Sequence, residues 1–179
     1  MHTKRTGKYA LCGALAAVLA CSQDARPAPG GDEAAKFVQR VYDWYVPRAR
    51  DSVQGPAWKI FVADSSALLS SELVSALRAD LMAQQASRSE IVGLDFDPVL
   101  NAQDPCAAYA VGPASKHDST FIVPVFDVCD GRKAVAPRVL VILTHSGQRW
   151  TMSDFSYPNL HPAADLFTVL RRLAALRRK

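Results

Sequence analysis

Midway along the chain the spacing of apolar residues changes, and that change limits the possible fold more than any single motif. Before it, apolar side chains recur at helical spacing; after it, they alternate. In "DEAAKFVQRVYDWYVP", Phe37, Val41, Trp44 and Tyr45 share one helix face, Asp32 and Glu33 stand in the first turn, and Pro47 marks the stop. That pattern predicts a helix over 33–46. "RARDSVQGPAWKIFVAD" reads as a loop with one helical turn carrying Trp58 and Phe61. Ser70 then caps a second amphipathic helix over 71–86, with Leu73, Leu77 and Leu81 four apart. From there the period is two. "AAYAVG", "STFIVPVFDV", "PRVLVILTHS" and "QRWTMSDFSY" are rich in β-branched and aromatic residues, with turn residues between them. His145–Gln148 carries a hairpin signal in Gly147, and Pro124 marks an edge strand or a bulge. "AADLFTVLRRLAALRRK" closes the chain with Leu166, Leu170, Leu173 and Ala174 on one face and arginines on the other. Helices first and antiparallel strands after them predict an α+β domain over 32–179. Its helices pack on one face of a curved sheet of about four strands, with a C-terminal helix.

The first twenty residues fall outside that domain. "MHTKRTGKY" is a basic leader and "ALCGALAAVLA" a short apolar run, well below the ~20 apolar residues of a membrane-spanning helix. Together they read as an export signal. Val18-Leu19-Ala20 before Cys21 resembles the lipobox of bacterial lipoproteins, where a cysteine carries the lipid; ordinary cleavage at the same bond is the alternative. Ser22 after the cysteine, in place of Asp, favours the outer membrane of a Gram-negative cell by resemblance to lipoprotein sorting. "SQDARPAPGG" has nothing to bury and reads as a tether, spanning on the order of 35 Å if extended. Removing Lys4, Arg5 and Lys8 lowers the formal charge from +4 to +1. Much of what remains positive is terminal: Arg171, Arg172, Arg177, Arg178 and Lys179. Nucleic-acid binding loses its support. The terminal arginines read as a solvated face or as a contact to anionic lipid headgroups.

Of four cysteines, Cys12 leaves with the signal and Cys21 is the lipid candidate. Cys106 and Cys129 remain, and in an oxidising compartment they read as a disulfide. It would close a hairpin turning between His117 and Asp118, with Ala107 opposite Val128.

"GLDFDPVLNAQDPC", residues 93–106, gathers the chain's densest oxygen donors. Asp95-Phe96-Asp97 begins like a calcium loop. The EF-hand pattern then fails, with Val99 at a donor position, Leu100 in place of glycine and Cys106 in place of the closing glutamate. A calcium site built from Asp95, Asp97, Asn101 and Asp104 is one reading. Asp97 and Asp104 each precede proline, however, as helix-capping aspartates do. Capping leaves Asp95 as the carboxylate without a structural task. His117, His145 and His161 fall in or beside turns and share no metal-ligand spacing. Tyr42, Trp44, Tyr45, Trp58 and Phe96 form the best candidate for an apolar pocket, with Asp95 or Gln103 as hydroxyl partners of the two tyrosines.

"FVQRVYDWYVP", "LLSSELVSALRADLMAQ", "GLDFDPVLNAQDP" and "GQRWTMSDFSYP" resemble a family of bacterial exported proteins and lipoproteins known only as domain of unknown function 3828. The resemblance spans 33–175 and implies no catalytic residues. The helix order and the last hairpin are also similar to the NTF2-like, cystatin-like cone, a fold that hosts binding proteins and enzymes alike. The expectation is a non-enzymatic, lipid-anchored binding domain of the cell envelope. It would need no cofactor and would meet the membrane through its N-terminal lipid, with an envelope protein or a small apolar ligand as its partner. The alternatives are an NTF2-like enzyme using Asp95 as acid or base with Tyr42 or Tyr45 as oxyanion donor, and a calcium-stabilised envelope protein.

Overall fold

The computed structural model describes residues 30–51, 53, 55–87, 93–160 and 162–177. The export signal, Cys21, nearly all of the tether, and His161, Arg178 and Lys179 lie outside the described residues. Four helices and an antiparallel sheet of seven strands make an α+β fold. In chain order these are α1 (Gly31–Arg50), α2 (Ala57–Asp64), a 3-10 turn (Ser66–Leu68) and α3 (Ser71–Ala86). Strands β1 (Ala108–Val111), β2 (Ser115–His117), β3 (Thr120–Cys129), β4 (Arg132–Lys133), β5 (Val139–Ser146), β6 (Arg149–Tyr157) and β7 (Ala164–Asp165) follow, and α4 (Leu166–Leu176) ends the fold. None of the described helices is long and apolar enough to cross a membrane.

The alternation expected of the strands is the alternation of their burial. Phe121, Val123 and Val125 of β3 and Val139, Val141 and Leu143 of β5 point inward and are buried. They meet Ala34, Val38, Val41, Tyr42 and Tyr45 of α1 in one core. Each buried Val, Leu or Phe side chain among them stabilises the fold by roughly 1.5–3 kcal/mol.

Helix α1 does not stop at Pro47 but runs through it to Arg50. The missing N–H leaves the Asp43 carbonyl without its usual donor. Burial of Tyr45 and Val46 holds the last turn in place, and Arg48 Nη1 adds a donor to the Trp44 carbonyl at 2.7 Å. α3 begins where expected, with the Ser70 hydroxyl accepting from the Leu73 amide at 3.1 Å.

The sheet is larger than the expected four strands because β2, β4 and β7 have only two or three residues each. Pieces so short show no periodicity, and Ala164–Asp165 reads from sequence as the start of the last helix. Pro124 sits in the interior strand β3, with β5 on one side and β1 and β2 on the other. The reason is that its neighbour is broken at that point. β1 pairs as far as Val125 and β2 resumes at Ile122, so the absent N–H of Pro124 faces the gap while its carbonyl accepts from Gly112 at 2.8 Å. A Cβ on Gly112 would press on the Pro124 and Phe126 side chains at 3.0 Å. The break also shifts the register. Ala108, not Ala107, lies opposite Val128, and the turn falls at Asp118–Ser119.

Cys106 and Cys129 form a disulfide, with Cα atoms 5.0 Å apart, across the open end of this hairpin. A loop of that length adds roughly 3 kcal/mol in the chain-entropy account.

Candidate functional site

The segment 93–106 is held in place by three tyrosines. Tyr42 and Tyr45 are three apart and both on the buried face of α1, and Tyr157 ends β6. A buried phenol needs an acceptor. Tyr45 donates to Asp97 Oδ2 at 2.5 Å, Tyr157 to the Pro98 carbonyl at 2.7 Å and Tyr42 to the Val99 carbonyl at 2.6 Å. Three successive residues of one turn are thus fastened to two different elements. Burial lifts all three phenol pKa values well above the usual range, so these groups act as neutral donors.

Asp97 organises the turn from within. Its Oδ1 accepts from the amides of Val99 at 2.9 Å and Leu100 at 3.0 Å, and its own amide donates to the Ala102 carbonyl at 2.8 Å. Asn101 takes a left-handed backbone, φ 49°, which closes the loop and seats Val99 and Leu100 in the core. The capping role expected of Asp97 is therefore present. Burial pushes its carboxyl up to about 6, although the Tyr45 hydroxyl and the two amides pull the other way. Asp104 starts no helix and sits exposed in a bend.

Beside this turn opens a cleft of about 450 Å³. Trp58, Ala57 and Leu94 are its buried walls. Phe96 stands half-buried with its ring edge-on to Tyr157, centroids 5.7 Å apart. Ala49 ends one side, Pro56 and Pro105 border it, and Asp95 and Gln103 are its exposed polar groups. Gln103 Nε2 donates to the Asp95 carbonyl at 3.3 Å, which holds this rim together.

The residues expected to form a pocket therefore divide. Trp58, Asp95, Phe96 and Gln103 do line one cleft; Tyr42, Trp44 and Tyr45 do not. Trp44 is half-buried against Tyr45 and Phe61, ring centroids 6.4 and 5.9 Å away, with the Arg48 guanidinium 4.3 Å from its own ring. The tyrosine partners are Asp97 and a backbone carbonyl rather than Asp95 or Gln103. Asp95 is exposed and does not converge with either hydroxyl. The suggested calcium ligands are also dispersed in function: both Asp97 oxygens are occupied, and Asn101 shapes the loop. Among the described residues, Cys106, Asp127 and Cys129 are the one group of three ligand-type side chains that come together, and their sulfurs are bonded to each other.

Sequence reasoning overlooked Tyr157 and the second task of Asp97. The signal was there: three tyrosines spaced for burial need three acceptors, and a turn supplies them in sequence. A second carboxyl raised to about 6, chiefly by burial, is Asp154, which accepts from the Phe155 amide at 2.8 Å and faces Asp165 at the start of α4.

No family model, curated protein or solved structure matches this chain. What the cleft can do follows from its walls. Its carboxylates bring negative charge, none of the described residues lining it is basic, and its buried groups are apolar. Walls of this kind suit apolar molecules that are neutral or cationic better than anions.

Proposed function

We propose that this protein is a non-enzymatic binding domain of the bacterial cell envelope, exported and anchored by a lipid on Cys21. Its cleft beside Trp58 takes a small, largely apolar ligand bearing a neutral or cationic group. The observation that carries this reading is the commitment of Asp97. Asp97, the cleft carboxyl raised by burial, accepts from the Val99 and Leu100 amides of its own turn through Oδ1 and from the Tyr45 hydroxyl of α1 through Oδ2, so both oxygens are engaged in holding the fold. A general acid or base needs a free hydrogen-bonding position on the substrate side. The domain belongs in this account to the NTF2-like kind of α+β cone, within the exported family that its motifs resemble.

Two paired probes test the ligand class. Decyltrimethylammonium, titrated by calorimetry below its micelle concentration, is expected to bind about tenfold more tightly than decanoate, which corresponds to 1.4 kcal/mol. Asp95→Lys is expected to reverse the preference. Equal binding of the two probes by wild type and variant would reject the assignment. The anchor has its own check: mature protein from cells should carry the mass of a lipid-modified Cys21, and Cys21→Ser should release it as a soluble species.

A further inference from the structure

A second cavity lies at the other end of α1, between the tips of the β2–β3 and β5–β6 hairpins. It measures about 590 Å³, within the ~300–1,000 Å³ of small-molecule sites. Its back wall is aromatic. Phe121 is buried and meets Trp150 edge-on, centroids 5.0 Å apart; Trp150 is half-buried and stacks on the imidazole of His145 at 4.2 Å. Around these rings stand the exposed side chains of Glu33, Lys116, Asp118 and Ser119. None of these four side chains makes a hydrogen bond or an ion pair to another described residue; Lys116 Nζ rests 5.6 Å from the Phe121 ring.

Single exposed polar groups without partners are ordinary. A ring of them around a half-buried tryptophan is a different matter, because the aromatic wall also asks for an apolar face. We propose that this cavity binds a neutral saccharide ring. Carboxylates only accept hydrogen bonds and an ammonium only donates them. A ligand that satisfies Glu33, Asp118 and Lys116 together needs groups that do both, and sugar hydroxyls do both. The C–H face of a pyranose supplies the apolar surface that Trp150 and His145 match. A strongly charged ligand of either sign would face Lys116 on one side or Glu33 and Asp118 on the other. Glu33 and Ala49, which mark the two cavities, stand roughly 24 Å apart along the α1 axis, so the saccharide site is separate from the Trp58 cleft.

The test follows the three tryptophan indole N–H resonances of the full mature protein by NMR, during titration with chitotriose, cellotriose, maltotriose and mannotriose. At least one trisaccharide is expected to shift the Trp150 resonance saturably while Trp44 and Trp58 stay in place. Glu33→Ala and Lys116→Ala, both at exposed positions, are expected to weaken that binding about tenfold or more with melting temperature unchanged. Trp150→Phe, milder on the core than alanine, is expected to weaken it as well. The proposal is overturned if no trisaccharide moves the Trp150 resonance at about 10 mM, a dissociation constant beyond ordinary recognition. Binding that survives both charged-residue substitutions would overturn it too.

Discussion

Arg177→Ala is expected to destabilise the protein by about 3–5 kcal/mol, the usual cost of leaving a buried charge without its partner. Asp80 is 2% exposed, the most secluded carboxylate among the described residues, and it is ion-paired with Arg177 through Nη2 and Oδ1. Its other oxygen accepts from Gln84 Nε2 at 2.9 Å and from the Leu94 amide at 3.1 Å. One carboxylate thereby joins α3, the entry to the 93–106 segment and the end of α4. Removing the guanidinium leaves two neutral donors to hold a charge that water cannot reach. Urea denaturation should show a lower midpoint with an unchanged slope. The double variant Asp80→Leu/Arg177→Leu should recover much of the loss, since an apolar pair of similar volume removes the desolvation cost. A double variant as unstable as Arg177→Ala would mean that the pair itself, and not its interruption, supplies the stability.

Asp97→Ala is expected to cost about 2–4 kcal/mol near pH 5, from a lost cap and an unsatisfied Tyr45 hydroxyl. The effect should shrink as pH rises. The folded carboxyl titrates at about 6, above the ordinary 3.8, so the native state binds a proton more readily than the unfolded chain does. Its contribution to stability is therefore complete below the ordinary value and is lost as pH rises through about 6. Above that, the ionised group burdens the fold by up to about 3 kcal/mol. Asp97→Asn retains a capping oxygen and an amide that can meet Tyr45, and it cannot ionise. The variant should equal or exceed wild type near pH 8 and fall behind it near pH 4. Asp154 has a shift of the same sign, but it is present in both proteins and cancels in the difference. Stability curves of wild type and Asp97→Asn that run parallel from pH 4 to pH 8 would show that this carboxyl is not buried as described.

Much of this fold is legible in the residues because local signals agree with tertiary ones. Ser70 before α3, the alternation of β3 and β5, and Gly147 at the last hairpin each satisfy a local rule that burial then reinforces. Two kinds of feature are not legible. Pro47 reads as a stop because its cost is local, whereas the burial of Tyr45 and Val46 that outweighs it depends on partners far along the chain. The site divides for the same reason. Tyr42 and Tyr45 look like pocket residues beside Trp58, yet their hydroxyls are used on acceptors 57 and 52 residues away. Asp97 looks like a simple cap, and spacing alone does not reveal that a tyrosine from α1 reaches it. Asp95 retains the freedom that its position suggested, but on an open rim rather than facing the tyrosines.

If the cleft beside Trp58 holds a ligand, filling the cleft removes the binding. N-phenyl-1-naphthylamine, neutral and apolar, should brighten on addition to wild-type protein and saturate with micromolar affinity, about −8 kcal/mol. Ala49→Trp places a large ring in the cleft from its half-buried edge, at the margin of the core rather than among its buried residues. That variant should fold as wild type does and lose saturable probe binding. A folded Ala49→Trp protein that binds the probe as tightly as wild type would contradict the assignment of this cleft.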